Sequence, residues 1–331
     1  MAHDPAPIND AAPVLILTAT RLGDAILTTG LIDTLLNRYP HSAFTVICGA
    51  LPAPIFANLP SRCTVIPIKK RKYGLHWLDV YRLCAKTRWG LVVDLRNTPV
   101  SRLLRSNALI AHNRAPDESE HRARYFSRLI GLDTPAPLKL WLSDNANAAA
   151  AKLIPPGGKV VALAPAANWI GKTWPQERFA ELAASVLDFD KTARIAVFTG
   201  KGEEHLATQL LDAIPPDRLI NCVGNTDAGT ALACIARCDV FIGNDSGLMH
   251  GAAALNIRTI GLFGPTSEIA YGPFGPNAST LRGKPRVEIV QGVGDFKYVR
   301  DCLMHDLSVT DVRDHVLAAL ASDARQLKET A

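Results

Sequence analysis

The stretch FIGNDSGLMHGAAALNIRTIGLFGPTS (241–267) joins two apolar runs through a small polar cluster, Asn244-Asp245-Ser246-Gly247, and an alanine-rich segment. Short apolar runs read as strands and the alanine-rich stretch between them as a helix, so the pattern predicts a βαβ unit with parallel strands. In such sheets ligands bind beyond the carboxyl ends of the strands, where loops and helix N-termini converge. A helix starting near Ser246 presents unpaired N–H groups and the positive end of its dipole there, which suits a diphosphate. Gly247 lets a phosphate approach the backbone, Ser246 adds a hydroxyl donor, and Asp245 can accept bonds from ligand hydroxyls. Asp245 or Ser246 can equally be the helix N-cap and nothing more. His250, one turn further on, either touches a ligand or braces the loop.

The same alternation runs outward in both directions. VLILTA (14–19), FTVICG (44–49), LVVDLR (91–96), KVVALAP (159–165), RIAVFTG (194–200), DVFIGN (239–244) and RTIGLFG (258–264) read as strands, and the clearest helices are expected at 28–39, 177–187, 203–214 and 249–255. Each half opens with a strand, a glycine- or proline-bearing turn and a long helix. The expected fold is therefore α/β, with two doubly wound, Rossmann-like domains in tandem. SDNANAAAAKLIPPGG (143–158) ends in the strongest punctuation of the chain and is expected to be the linker, giving domains at 1–150 and 151–331. Residues 311–330 carry a helical pattern.

At 331 residues the chain has room for two average domains, and 48% hydrophobic with 20% charged residues fits a globular enzyme rather than a disordered chain. No apolar run approaches the roughly 18 residues of a membrane span. MAHDPAPINDAAP (1–13) lacks the basic and apolar regions of an export signal, so a cytoplasmic location is expected. Seven cysteines form no CxxC pair and no zinc-like Cys/His quartet, which leaves buried thiols in a reducing compartment. The net charge of +5 conceals an asymmetry: residues 61–130 hold fifteen Lys/Arg against five Asp/Glu. Such a surplus suits an anionic partner, whether phosphorylated glycan, lipid headgroup or nucleic acid.

Three further clusters carry candidate chemistry. ALAPAANWIGKTWPQERFAELA (162–183) places Lys172 in a loop between a strand and a helix start marked by Pro175, where a lysine serves either an anion or only solvent. FTGKGEEHLATQLL (198–211) puts Glu203 and Glu204 at a helix start, which they favour electrostatically. A buried Glu there could also grip the two hydroxyls of a ribose. VLILTATRLGDAILTTGLIDTLLNRYP (14–40) carries Arg21, a plausible anion contact, and Asp24, an N-cap candidate or a general base for an acceptor that must lose a proton. GxGxxG, the Walker loop, a serine elbow and HExxH are all missing, which argues against nicotinamide, flavin, P-loop and zinc-protease chemistry.

Together RLGDAILTTGLIDTLLNRYP, VVDLRN, HRARYFSRLIGL, APAANWIGKTWP, TGKGEE, NDSGLMHGAAAL and GLFGPTS resemble the ordered signature of the heptosyltransferase family, glycosyltransferase family 9, from about Val14 through DCLMHDLSVTDVRDHV (301–316). The resemblance implies the GT-B architecture, two Rossmann-like domains facing across a cleft, and inverting transfer from a nucleotide sugar, typically ADP-L-glycero-D-manno-heptose, to the Kdo/heptose inner core of lipopolysaccharide. Carried over by motif position, Asp24 resembles the catalytic base and Lys172 the lysine that neutralises the diphosphate. Asn168, Glu204, Asp245, Ser246, Gly247 and His250 fall on the donor side, with Glu203 as the fallback for Glu204. Arg21 and Arg96 fall on the acceptor side. No cofactor and no metal is implied, since Lys172 and a helix N-terminus can supply the positive charge and no DxD-type pair stands at a suitable strand end. The chain departs from many relatives at Gly30, where they have proline after "LTT", and at Ala167 and Asn168, where they often have hydroxyl residues.

The expected partners are an ADP-sugar donor and an anionic glycolipid acceptor. Lys69-Lys70-Arg71-Lys72, with Tyr73 and Trp77 nearby, would approach that acceptor in peripheral contact with the cytoplasmic membrane face, although no amphipathic anchor is evident. Nucleic acid is not expected, because the basic stretch lacks a recognition motif or stacking platform. Two alternatives stay open: a relative using another nucleotide sugar or an acceptor outside lipopolysaccharide, and a nucleotide-sugar-binding protein without transfer activity.

Overall fold

A computed structural model describes residues 9–111, 117–295 and 298–329, with side chains through residue 322. Residues 1–8 of the stretch read for an export signal lie outside it. The chain divides into two compact units, Met1–Ser143 and Asp144–Ala331. The first contains β1 (Val14–Leu17), β2 (Phe44–Gly49), β3 (Cys63–Ile68), β4 (Trp89–Asp94) and β5 (Ser106–Ala111) in the order β3-β2-β1-β4-β5. The second contains β6 (Val160–Ala164), β7 (Arg194–Thr199), β8 (Leu219–Val223), β9 (Val240–Asn244), β10 (Arg258–Phe263) and β11 (Ala278–Arg282) in the order β11-β10-β9-β6-β7-β8. Every pairing is parallel.

The inner strands are apolar on both faces because a parallel sheet is covered on both sides. Val14 lies in register between Phe44 and Leu91, and all four residues of β1 are buried. In the second unit Val161, Leu163, Ile195, Val197, Val240 and Ile242 form a core closed by Phe179 and Leu182 of the helix Gln176–Phe189 and by Val312 and Val316 of the helix Val309–Glu329. The four strands that the sequence pattern does not predict, β3, β5, β8 and β11, are the four sheet edges. Their residues are half-buried or exposed at most positions, so no continuous apolar run marks them.

Three expected boundaries are corrected. Residues 144–153 are no linker but a helix, Asp144–Leu153, whose Ala146 and Ala150 bury one face, and it packs against the helix Ala228–Ile235 of the second unit. The division accordingly falls at Ser143/Asp144 rather than at 150/151. The helix expected over 203–214 is two pieces, a 3-10 turn Glu204–Leu206 and a helix Thr208–Asp212, broken at Ala207. The helix expected from residue 28 begins earlier and is jointed at Thr28, into Leu22–Leu27 and Thr29–Arg38. There the Thr28 hydroxyl donates to the Ala25 carbonyl at 2.7 Å and lies 2.8 Å from the Thr18 hydroxyl at the end of β1.

Gly30 sits in the first turn of the second of these helices, against the backbone of Ala136 and Pro137. A Cβ there would stand 2.8 and 2.9 Å from their carbonyl oxygens. Replacing a helical glycine by alanine ordinarily stabilises by up to about 1 kcal/mol. At Gly30 the sign is expected to reverse, because backbone cannot yield as a side chain does: Gly30→Ala should lose about 1–3 kcal/mol in urea unfolding. A gain in stability would refute this close packing.

Candidate active site

The order of each sheet reverses direction at one point, between β1 and β4 in the first unit and between β6 and β9 in the second. Chains leave such neighbouring strands on opposite sides, which opens a crevice at their carboxyl ends. The candidate residues gather at these two places, except Glu203 and Glu204, which follow β7.

In the second unit the loop after β6 and the turn after β9 are tied together by Asn244. This fully buried side chain accepts a hydrogen bond from the Trp174 N–H at 3.0 Å and donates to the Pro165 carbonyl at 2.7 Å. Trp174 is itself wholly buried, its indole donating to the Leu307 carbonyl at 3.0 Å and its ring standing edge-on to Phe179 at 4.9 Å. Anchored in this way, the 3-10 turn Ile170–Lys172 delivers the Lys172 ammonium to the Asp245 carboxylate, 3.0 Å from Oδ2. The side chains are only 12% and 9% exposed, so Lys172 is not a solvated loop lysine. The imidazole Nε2 of buried His250 lies 3.8 Å from the other carboxylate oxygen, which favours bracing over ligand contact.

Ser246 is the N-cap of the helix Gly247–Ala254, its hydroxyl accepting from the Met249 N–H at 3.4 Å. Capping uses the oxygen as an acceptor and leaves the hydroxyl hydrogen available to donate. Asp245 takes no part in the cap. Buried carboxylate, buried ammonium, capping hydroxyl and helix start thus share one strand end, and that set can hold both hydroxyls and a diphosphate. Asn168 is exposed on the same loop as Lys172.

The glutamates differ from expectation. Glu204 is exposed, and its Oε1 accepts from the Gly202 N–H at 3.0 Å, the main influence holding its carboxyl below the usual carboxylate range. Glu203 is half-buried and accepts from the Gly200 N–H at 3.0 Å. Neither is fully buried, as the sequence suggests a ribose contact would be, because both carboxylates turn back onto their own loop. Glu204 also leans over Gly224, whose φ of +65° and contact with the carboxylate leave no room for a Cβ.

In the first unit Asp24 is exposed in the first turn of the helix that follows β1. Arg96 follows β4, with its guanidinium 5.2 Å above the Trp77 ring. Burial lowers the Arg96 pKa, opposed by the carboxylates of Asp94 and Asp24. Its Nη1 is buried with no hydrogen-bond partner among the described residues. Fully buried Asp94 shapes this turn by accepting from the N–H groups of Arg96 at 2.9 Å and Thr98 at 2.7 Å and from the Thr98 hydroxyl at 2.8 Å. Arg21 is exposed beside a cavity of about 300 Å³ that it lines with Lys69, Lys70, Thr20 and Gly49. No carboxylate lines this cavity.

A model of the family described as glycosyltransferase family 9 (heptosyltransferase) matches residues 80–289. The chain belongs to this family. Among its relatives, the lipopolysaccharide heptosyltransferase 2 of Escherichia coli K12 is 25% identical over 314 residues, covering 81% of this chain and 87% of that protein. The solved structure of E. coli ADP-heptose lps heptosyltransferase II superposes with a TM-score of 0.74 at 21% identity, over 96% of this chain and all of that one. E. coli heptosyltransferase WaaC with ADP superposes with a TM-score of 0.69 at 19% identity, over 93% and 99%. The two doubly wound units of this family 9 glycosyltransferase are those of the GT-B architecture.

Sequence reasoning assigned no role to Asn244, Trp174 or Asp94. For Asn244 and Asp94 the signal was a polar residue closing an apolar run, which reads as a strand end until the partner loop is known; for Trp174 it was a bulky apolar residue in the loop just before a helix start. It also gave no role to Arg282 on β11, which donates to the carbonyls of Gly264 and Thr266 and so shapes the loop GLFGPTS. Removing one partner of a buried ion pair strands the other charge, at a cost of about 3 kcal/mol. Lys172→Ala should therefore destabilise the protein by about that amount in urea unfolding, and Lys172→Ala with Asp245→Ala together by less than Lys172→Ala alone. Equal stability of wild type and Lys172→Ala would mean that the pair is not formed in solution.

Proposed function

We propose that this family 9 glycosyltransferase moves a heptose, with inversion, from ADP-L-glycero-D-manno-heptose to the Kdo/heptose inner core of lipopolysaccharide. The observation that carries the donor side is the buried Lys172–Asp245 pair beside the N-terminus of the helix Gly247–Ala254. In this reading the ammonium of Lys172 and the helix N–H groups take up the charge of the leaving ADP as the anomeric C–O bond breaks. Each such preorganised donor commonly contributes about 3 kcal/mol to a transition state. Asp245 then accepts from the heptose hydroxyls, His250 holds it in place, and Asn168 and Ser246 donate to the diphosphate. Glu204, with Glu203 as the fallback, is the ribose contact; one oxygen of Glu204 is occupied by Gly202, so the other does the gripping.

On the acceptor side Asp24 takes the proton of the attacking hydroxyl as the new C–O bond forms, and Arg21 and Arg96 pair with anionic groups of the acceptor. The unpartnered Nη1 of Arg96 supports this reading, since a buried donor without a partner costs free energy until a ligand satisfies it. The names of the relatives agree in direction: E. coli heptosyltransferase II is described by its ADP-heptose, and WaaC was solved with ADP.

Thermal unfolding with ADP, UDP, GDP or NAD tests the donor first. A ligand at about 100 times its Kd stabilises by roughly 2.7 kcal/mol, and this is expected with ADP alone. A shift with UDP or GDP instead would replace the donor while leaving the family unchanged. Asp24→Asn should lower the transfer rate about 10³-fold and leave the ADP shift intact. Full activity in that variant would remove Asp24 from the mechanism.

A further inference from the structure

Three successive carbonyls of the loop that follows β10 are taken by arginines. Arg282 on β11 donates to the Gly264 carbonyl and, at 2.7 Å, to that of Thr266, and Arg286 donates to the Pro265 carbonyl at 2.8 Å. The Arg282 guanidinium also meets the Glu268 carboxylate, with Nε 3.1 Å from Oε1 and Nη2 2.5 Å from Oε2. Its side chain is only 12% exposed. Withdrawing a guanidinium from water is costly, and what it secures here is the path of one loop. Within that loop the Ser267 hydroxyl caps the turn that follows, accepting from the Ala270 N–H at 3.3 Å. The hydroxyl of half-buried Thr266 is itself buried and has no hydrogen-bond partner among the described residues.

The order of the sheet says which part of a ligand this loop would meet. Strands β7, β6, β9 and β10 are neighbours in that order, and Leu262 of β10 pairs in register with Asn244 of β9. On the donor reading above, Glu204 after β7 meets the ribose, Lys172 after β6 the diphosphate, and Asp245 after β9 the sugar hydroxyls. The nucleotide sugar then runs along the carboxyl ends of the strands, ribose first. The loop after β10 stands one strand further on, a step of about 4.8 Å, which brings it to the far end of the sugar.

We propose that Thr266, positioned by Arg282, reads the exocyclic tail of the donor sugar and so selects a seven-carbon sugar over a hexose. The inference rests on the donor reading and adds to it a specificity-determining residue and a positioning residue. A hydroxyl of the tail supplies the partner that the Thr266 hydroxyl lacks. Arg282 touches no part of the sugar and acts only by holding the loop. Such a contact discriminates because a shorter sugar leaves the buried hydroxyl unpaired.

The test compares transfer from ADP-L-glycero-D-manno-heptose with transfer from ADP-mannose, the same ring without the seventh carbon, and follows the thermal shift with ADP in parallel. Thr266→Val removes the hydroxyl with little change of shape. Its preference for the heptose donor, as a ratio of kcat/KM values, should fall about tenfold while the ADP shift stays as in wild type, and Thr266→Ser should keep the preference. Arg282→Lys should lower the preference by a similar factor, and Arg282→Lys with Thr266→Val no further, since both remove one contact. If Arg282→Lys fails to fold by circular dichroism, the two Thr266 variants carry the test. An unchanged preference in Thr266→Val would overturn this inference alone. So would an ADP shift lost in step with transfer, which would assign the loop to the nucleotide or to the fold. A wild type that does not use the heptose donor would remove the donor reading and this inference with it.

Discussion

All strands in both sheets run parallel, and that single constraint organises the molecule. A parallel neighbour cannot be reached by a tight turn, so each strand is followed by a long return that covers a face of the sheet. Both faces are then dry, the inner strands become apolar throughout, and polar chemistry is driven to the carboxyl ends. Where the winding changes direction, the returning segments diverge and leave that end uncovered. The exposed carboxylate of Asp24, the half-buried guanidinium of Arg96 and the buried pair of Lys172 and Asp245 all stand at such ends.

The two ends are built differently. In the second unit opposite charges meet with little water, where each is costly alone and the two are mutually dependent. A diphosphate entering there would offer Lys172 a second anion without first removing Asp245, since an ammonium has three donors. In the first unit the carboxylate is open to solvent and the cation is partly withdrawn from it. The first arrangement keeps its carboxylate in contact with water, whereas the closed pair is suited to holding charge still.

The legible part of the fold was its interior. Seven inner strands announce themselves as apolar runs because packing on both faces leaves nothing else to choose; the edges β3, β5, β8 and β11, with one flank open, carry sequences such as ASTLR that fit a loop as well. An alanine-rich stretch before Pro-Pro-Gly-Gly read as a linker because small residues give little periodicity, yet Ala146 and Ala150 suffice to seat a helix closely. At the site, the residue types at strand ends were readable, but their pairings were not. Lys172 and Asp245 are 73 positions apart, and only the packing of Trp174 and Asn244 brings them to 3.0 Å. The environment of Glu204 was misread for the same reason: whether a carboxylate is buried depends on a loop's path, which Gly202 at φ +89° bends back.

The joint at Thr28 has one more consequence. A helix of six residues closes so few internal turns that it has little stiffness of its own, and Leu22–Leu27 is such a helix. Its far end is held by three hydroxyls, Thr18 just past the strand, Thr28 at the joint and Thr29 of the longer helix, which donates to the Ile26 carbonyl at 2.7 Å. The carboxylate of Asp24 therefore takes its bearing from the end of β1 as well as from Thr29–Arg38, as a shelf pinned to two walls keeps the angle between them.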